Sequence, residues 1–189
     1  QIGENRISTI TKLAVKTENG AVLTTSDFQF LNTGLSALKE LDLTDATCKN
    51  DAIPDKAFYS SDSSAKIEKI FLPSNLKEIG TSSFSSNLKT PSLKYVGMKN
   101  AYATGKAVNF PDTIEKIGFC AFFDAKGLTG TLELPQGHAI TLGSTAFQNA
   151  PVTGSITLGD NITFEASPKE SENYIHRNTF KNTKISVVT

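Results

Sequence analysis

Apolar and polar residues alternate over short stretches of this chain, and the stretches recur. Apolar pairs two positions apart stand at Leu13/Val15, Leu41/Leu43, Ile70/Leu72, Val96/Met98, Val108/Phe110, Leu132/Leu134 and Ile156/Leu158. Period-two alternation predicts short strands that bury one face. Proline follows three of them, at Pro73, Pro111 and Pro135. Because proline lacks an N–H and is confined to strand ends and edges, these positions predict where the strands stop. The segments LKEIG and IEKIG alternate as well, which predicts a second short strand or turn on another side of a coil. Gly80, Gly118 and Gly143 are expected to supply backbone freedom at a corner.

A second pattern runs between the strands, an apolar residue five positions before a phenylalanine. It appears as LTTSDF (Leu23 to Phe28), IPDKAF (Ile53 to Phe58), IGTSSF (Ile79 to Phe84), IGFCAF (Ile117 to Phe122), LGSTAF (Leu142 to Phe147) and IHRNTF (Ile175 to Phe180). Phe28, Phe58, Phe84, Phe122, Phe147 and Phe180 are separated by 30, 26, 38, 25 and 33 residues. The unit is therefore near 25 residues, and the longer gaps carry insertions. In the longest gap both LKYVGM and AVNFP read as strands, one of them added beside the ladder. Each unit holds too few apolar side chains to fold alone, whereas stacking buries leucine on leucine and phenylalanine on phenylalanine in continuous columns. In the first unit Phe28, Leu31, Leu35 and Leu38 stand at helical spacing after Thr25 or Ser26 as N-cap, which predicts a helical cap. At the other end ISVVT predicts a further strand, with Ile185 and Val188 matching Leu93 and Val96.

Composition narrows what such a coil does. With 19 basic and 19 acidic residues among 189, the chain has no net charge to attract a nucleic acid or an anionic membrane. No apolar run approaches the roughly 20 residues that span a bilayer, so no membrane insertion by this segment is expected. Residues 1–189 are expected to form a single repeat domain, with 10–43 as the capping unit and 44–189 as about five irregular repeats. Cys48 and Cys120 fall about two units apart, beyond disulfide reach, and are read as free thiols. QIGENRIST has no export-signal character, so a signal would lie before Gln1.

The recurring I-x-L-P-x-x-I-x-x-I-G-x-x-A-F phrase, clearest over Ile70 to Phe84 and Ala107 to Phe122, resembles the BspA-like leucine-rich repeats of bacterial cell-surface proteins. The resemblance runs from about Ile10 to Val188. It implies a mainly β solenoid, a leucine-rich-repeat-like right-handed coil with a parallel sheet on one side. It also implies an extracellular or cell-surface location and adhesive roles in some members. The helical first unit, the long gaps and the missing Ile-Gly in IPDKAF and IHRNTF depart from the phrase.

The chemistry-bearing residues form no constellation of nucleophile and base, P-loop or H-E-x-x-H motif. No enzyme activity, cofactor or metal is expected, and His138 and His176 read as ordinary surface histidines. If Ile70 and Leu72 point inward, Phe71 points out, and the same alternation exposes Asp42, Gly97, Asn109, Glu133 and Thr157 as one row. Such a row is the usual binding surface of a solenoid, and an exposed aromatic is a reasonable anchor. Two readings stand for Phe71. Either it contacts a protein or glycan partner, or the Lys99 to Lys106 insertion covers it; Tyr95 and Tyr102 share the same alternatives. The oligomeric state is open, a monomer being favoured, and a structural spacer without a ligand is the competing function. Asn161-Ile162-Thr163 matches an N-glycosylation acceptor, and Asp112-Thr113-Ile114 is similar to a short O-glycosylation motif of exported bacterial proteins.

Overall fold

A computed structural model describes residues 7–59, 66–89, 91–157, 161–165 and 178–188. Within them the chain winds between two parallel sheets. The larger sheet runs β1 (Lys12–Ala14), β2 (Glu40–Asp42), β4 (Lys69–Phe71), β6 (Tyr95–Gly97), β7 (Lys106–Asn109), β9 (Thr131–Glu133), β11 (Thr153–Thr157) and β13 (Lys184–Val188). The smaller sheet runs β3 (Ala52–Ile53), β5 (Glu78–Ile79), β8 (Lys116–Ile117), β10 (Ile140–Gly143) and β12 (Ile162–Glu165). The second strand expected from LKEIG and IEKIG is thus part of a complete sheet. The chain reaches it through a turn after the proline, where the Ile114 amide donates to the Pro111 carbonyl at 3.1 Å.

Alternation decides what is buried. Leu41, Ile70, Val96, Val108 and Leu132 point inward from the large sheet, and Ile53, Ile79, Ile117 and Leu142 from the small one; all are buried. Leu43, Leu72, Phe110 and Leu134 fall beyond the last paired residue of their strands yet stay in the core. The phenylalanines stack down the third side. Ring centroids are 5.5 Å apart for Phe58–Phe84, 5.0 Å for Phe84–Phe122, 5.1 Å for Phe122–Phe147 and 5.7 Å for Phe147–Phe180. Phe28 closes the column edge-on against Phe58 at 5.7 Å.

Backbone bonds run along this third side as well. The amides of Phe58, Phe84 and Phe122 each donate at 2.7 Å to the carbonyl just before the next phenylalanine in the column, on Ser83, Ala121 and Ala146. Hence the residue before each ring is small and buried: Ala57, Ser83, Ala121, Ala146, Thr179. The left-handed turn that aims these amides lies two residues before the ring, at Lys56, Ser82, Cys120 and Thr145, with φ between 54° and 58°.

That observation corrects the role expected of the glycines. Gly80, Gly118 and Gly143 do not take positive φ. They are glycine because neighbouring coils touch there: a Cβ on Gly118 would lie 2.9 Å from the Gly80 carbonyl carbon and the Ile79 oxygen, and one on Gly143 would fall on the Phe119 amide. Close approach, not backbone freedom, excludes a side chain.

The first unit also differs in detail. Helix α1 (Thr25–Gln29) has Thr24 as its N-cap rather than Thr25 or Ser26, with the Asp27 carboxylate accepting from the Thr24 amide at 2.8 Å and its hydroxyl at 2.7 Å. The following turn, Phe30–Gly34, is wider than an α-helix. Phe28, Leu31, Leu35 and Leu38 are all buried, as their spacing requires.

The 38-residue gap holds both anticipated strands, and both join the large sheet. β6 sits between β4 and β7, while in the small sheet β5 pairs directly with β8. The added strand therefore widens one sheet only. It has no proline turn and no second strand of its own.

Candidate interaction surface

The outer face of the large sheet is set by register. Lys12, Glu40, Lys69 and Tyr95 are opposite one another in one row, and Asp42, Phe71 and Gly97 in the next. Asn109 follows Val108, the partner of Val96, and pairs with Glu133. Charges alternate across strands, with Glu40 between Lys12 at 3.4 Å and Lys69 at 3.8 Å. Exposed pairs of this kind contribute about 0–1 kcal/mol each; they chiefly leave the face without a net field.

The chain after β6 has nowhere to go in the small sheet, so it folds back over this outer face. A 3-10 turn at Lys99–Ala101 places Tyr102 against Phe71, at 5.9 Å between centroids, and against Tyr95 at 4.8 Å. Phe71 and Tyr95 meet at 5.9 Å, and the Lys69 ammonium lies 4.6 Å over the Tyr102 ring. Phe71 does leave the sheet on the outer side, as expected, but it is only 5% exposed because the fold-back covers it. Of the two readings, the structure has the covered one. Tyr95 is buried beside it, while Tyr102 remains 45% exposed.

Two anchors hold the fold-back. Asn109 lies across Gly97, where any Cβ would stand 2.7 Å from the Asn109 amide oxygen. That oxygen accepts from the Met98 amide at 2.7 Å, and the Asn109 NH2 donates at 2.7 Å to the Tyr95 hydroxyl, which itself donates to the Met98 carbonyl at 2.8 Å. The second anchor is Lys99, whose ammonium meets the Asp42 carboxylate at 2.7 Å. Partial burial works to raise the Asp42 pKa, but hydrogen bonds from Lys99 and Thr44 outweigh it and the net shift is downward. Burial is the main reason the Tyr95 phenol is pushed above its ordinary range.

Asp42, Phe71, Tyr95 and Asn109 are thus brought together, with each side chain engaged inside the molecule. Glu133 stands at the edge of this group, half exposed, and takes Lys106 at 2.9 Å. Thr157 is not level with Glu133. β9 and β11 pair through Thr131 opposite Thr153, so Ser155 rather than Thr157 stands at that height. The same shift puts Gly154 in the leucine column, and the separate pairing of β11 with β13 puts Val187, not Val188, opposite Ile156.

Beside the fold-back lies a feature the residue pattern did not single out. A groove of about 480 Å³ opens at the rim of the large sheet, between Met98 to Ala101 and the turns at Pro111 and Pro135. Its charged lining residues are Asp112 and Glu133. The added strand creates it: β4 and β7 are held apart by β6 in the large sheet, yet their following turns touch, with the Thr113 hydroxyl donating to the Leu76 carbonyl at 2.7 Å. The 38-residue spacing was the available signal, but a spacing does not say on which side an insertion emerges.

His138 Nε2 bonds the Ile114 carbonyl at 2.7 Å, and His176 lies outside the described residues. Among the described residues no group of three or more His, Cys, Asp or Glu could hold a metal ion, and no helix is long and apolar enough to cross a membrane. The Cys48 thiol is buried, which, with the Asp51 carboxylate second, pushes its pKa up to about 12; neither Cys48 nor Cys120 is in a disulfide.

A family model described as the BspA type leucine-rich repeat region matches residues 10–103 and 99–189, with six copies. No curated protein and no solved structure matches the chain.

Proposed function

The chain belongs to the BspA-type leucine-rich repeat family, and on that premise we propose that it is an adhesion-type interaction module, exported or displayed at the bacterial surface, which engages a protein or glycan partner. Repeats of this family are generally non-enzymatic and typical of bacterial surface proteins. The supporting observation is asymmetry between the two sheets. Among the described residues, the added strand β6 widens the large sheet and not the small one, and it is followed by the fold-back and the rim groove. Irregular segments carried by a rigid scaffold are where binding residues concentrate.

The test is binding of the folded chain to arrayed extracellular-matrix proteins and surface glycans. Glu133→Lys beside the groove is expected to weaken a captured partner at least tenfold, while Thr163→Lys on the outer face of the small sheet leaves it unchanged. Equal effects of the two substitutions would overturn the assignment of the face.

A structural spacer remains as a second reading, favoured by the internal engagement of Phe71, Tyr95 and Asn109. A correctly folded chain that captures nothing from the array supports the spacer.

A further inference from the structure

Resting on the reading of the chain as an interaction module, we propose that the rim groove receives a lysine or arginine side chain from an extended segment of a protein partner. Three observations carry this. The charged groups lining the groove are the carboxylates of Asp112 and Glu133, and no lysine, arginine or histidine lines it. Lys106 offsets Glu133 through Oε2 and Lys99 is held by Asp42, which leaves Asp112 as the lining carboxylate without an ion pair among the described residues. The lining is mixed, with Met98, Ala101, Leu134 and Pro135 supplying apolar surface and Asn100 and Thr113 polar surface.

Apolar surface beside a carboxylate is complementary to a side chain with an aliphatic stem and a cationic head. An anion is disfavoured beside Asp112, whose charge no lining cation offsets. A sugar would want an exposed ring to stack on, and the aromatic lining residue, Phe110, is only 6% exposed. Tyr95 packs against Phe71 and Tyr102 in the fold-back, and the exposed Tyr102 ring is not among the lining residues. The volume, about 480 Å³, falls in the roughly 300–1,000 Å³ range of small recognition pockets. It accommodates one long side chain with part of its flanking backbone.

The probe is a set of short acetylated and amidated peptides that differ only in a central lysine, arginine, glutamine or glutamate. Binding to the isotope-labelled full chain is followed through the amide resonances of Met98, Thr113 and Leu134. The lysine and arginine peptides are expected to shift these amides, and the glutamine and glutamate peptides to leave them in place. Asp112→Asn is expected to weaken the lysine peptide about tenfold, or about 1.4 kcal/mol. Asp112 is exposed, so this variant retains the fold, and unchanged amide spectra away from the groove verify that. Raising salt from about 0.1 M to about 1 M, which shortens the Debye length from roughly 10 to 3 Å, is expected to weaken binding as well. Equal response to lysine and glutamine, indifference to Asp112→Asn, or no response to any peptide would each overturn the proposal. Matrix-array capture that persists in Asp112→Asn would leave the interaction module standing while removing the cation from it.

Discussion

Replacing Asn109 by alanine tests whether the fold-back is held as described. The side chain is 4% exposed and makes two hydrogen bonds, one from the Met98 amide and one to the Tyr95 hydroxyl, each 2.7 Å long. A net hydrogen bond is worth about 0.5–1.5 kcal/mol, and a buried group left without a partner costs about 1–3 kcal/mol. In the alanine variant the Met98 amide loses its acceptor, whereas the Tyr95 hydroxyl keeps the Met98 carbonyl. The expected cost is therefore about 2 kcal/mol, at the lower end of two full losses. It falls on local opening rather than on the whole coil, because Met98 is only half-buried and its amide reaches water once residues 98–105 lift. About 2 kcal/mol is roughly a 30-fold rise in the open population. Hydrogen exchange at Met98 should accelerate by that factor. The Tyr95 pKa, already raised by burial, should rise further, because the hydrogen bond from Asn109 that works to lower it is lost. Asn109→Asp keeps an acceptor for the Met98 amide and should restore most of the protection at neutral pH. Unchanged exchange at Met98 together with an unchanged Tyr95 titration in Asn109→Ala would refute the reasoning.

Phe122→Ala removes a fully buried ring stacked between Phe84 at 5.0 Å and Phe147 at 5.1 Å, and should lower the urea-unfolding free energy by about 3–5 kcal/mol. Gly118→Ala forces a Cβ to within 2.9 Å of backbone atoms of the neighbouring coil; a loss of about 1–3 kcal/mol is expected in the same assay, and a neutral result would show that the coils separate freely. The Asp42 pKa is depressed below its ordinary 3.8, so its contribution to the fold-back is present above that value and lost as pH falls through the lower folded one. Exchange at Met98 should accordingly quicken below about pH 4, and Asp42→Asn should abolish that acid dependence. With a buried thiol whose pKa is raised to about 12, Cys48 should resist iodoacetamide at neutral pH until the chain unfolds; labelling of Cys48 in the native protein would contradict its burial.

Much of this protein was legible in the order of its residues because a solenoid is nearly one-dimensional. Each column, whether Leu41–Ile70–Val96–Val108–Leu132 or Phe58–Phe84–Phe122–Phe147, is one sequence position repeated, and a repeated apolar position can only be satisfied by its own copy in the next coil. The strands, the paired sheets, the buried rings and the family all follow from that periodicity. It does not specify what the irregular segments do. Alternation correctly aimed Phe71 outward, but outward is exposed only if nothing lies above it, and the Lys99 to Lys106 segment does. Gly80, Gly118 and Gly143 likewise stand out as glycines in the sequence, yet the reason for them is how closely two coils approach, a distance between residues 24 or more positions apart. Thr157 was lost from the row for a similar cause: the strand pairing shifts by two residues between β9 and β11, and parity alone is blind to an even shift. The groove is the strongest case. It arises because one added strand widens the large sheet while the turns beside it stay in contact, a mismatch between two sides of the coil that has no counterpart in any single stretch of chain.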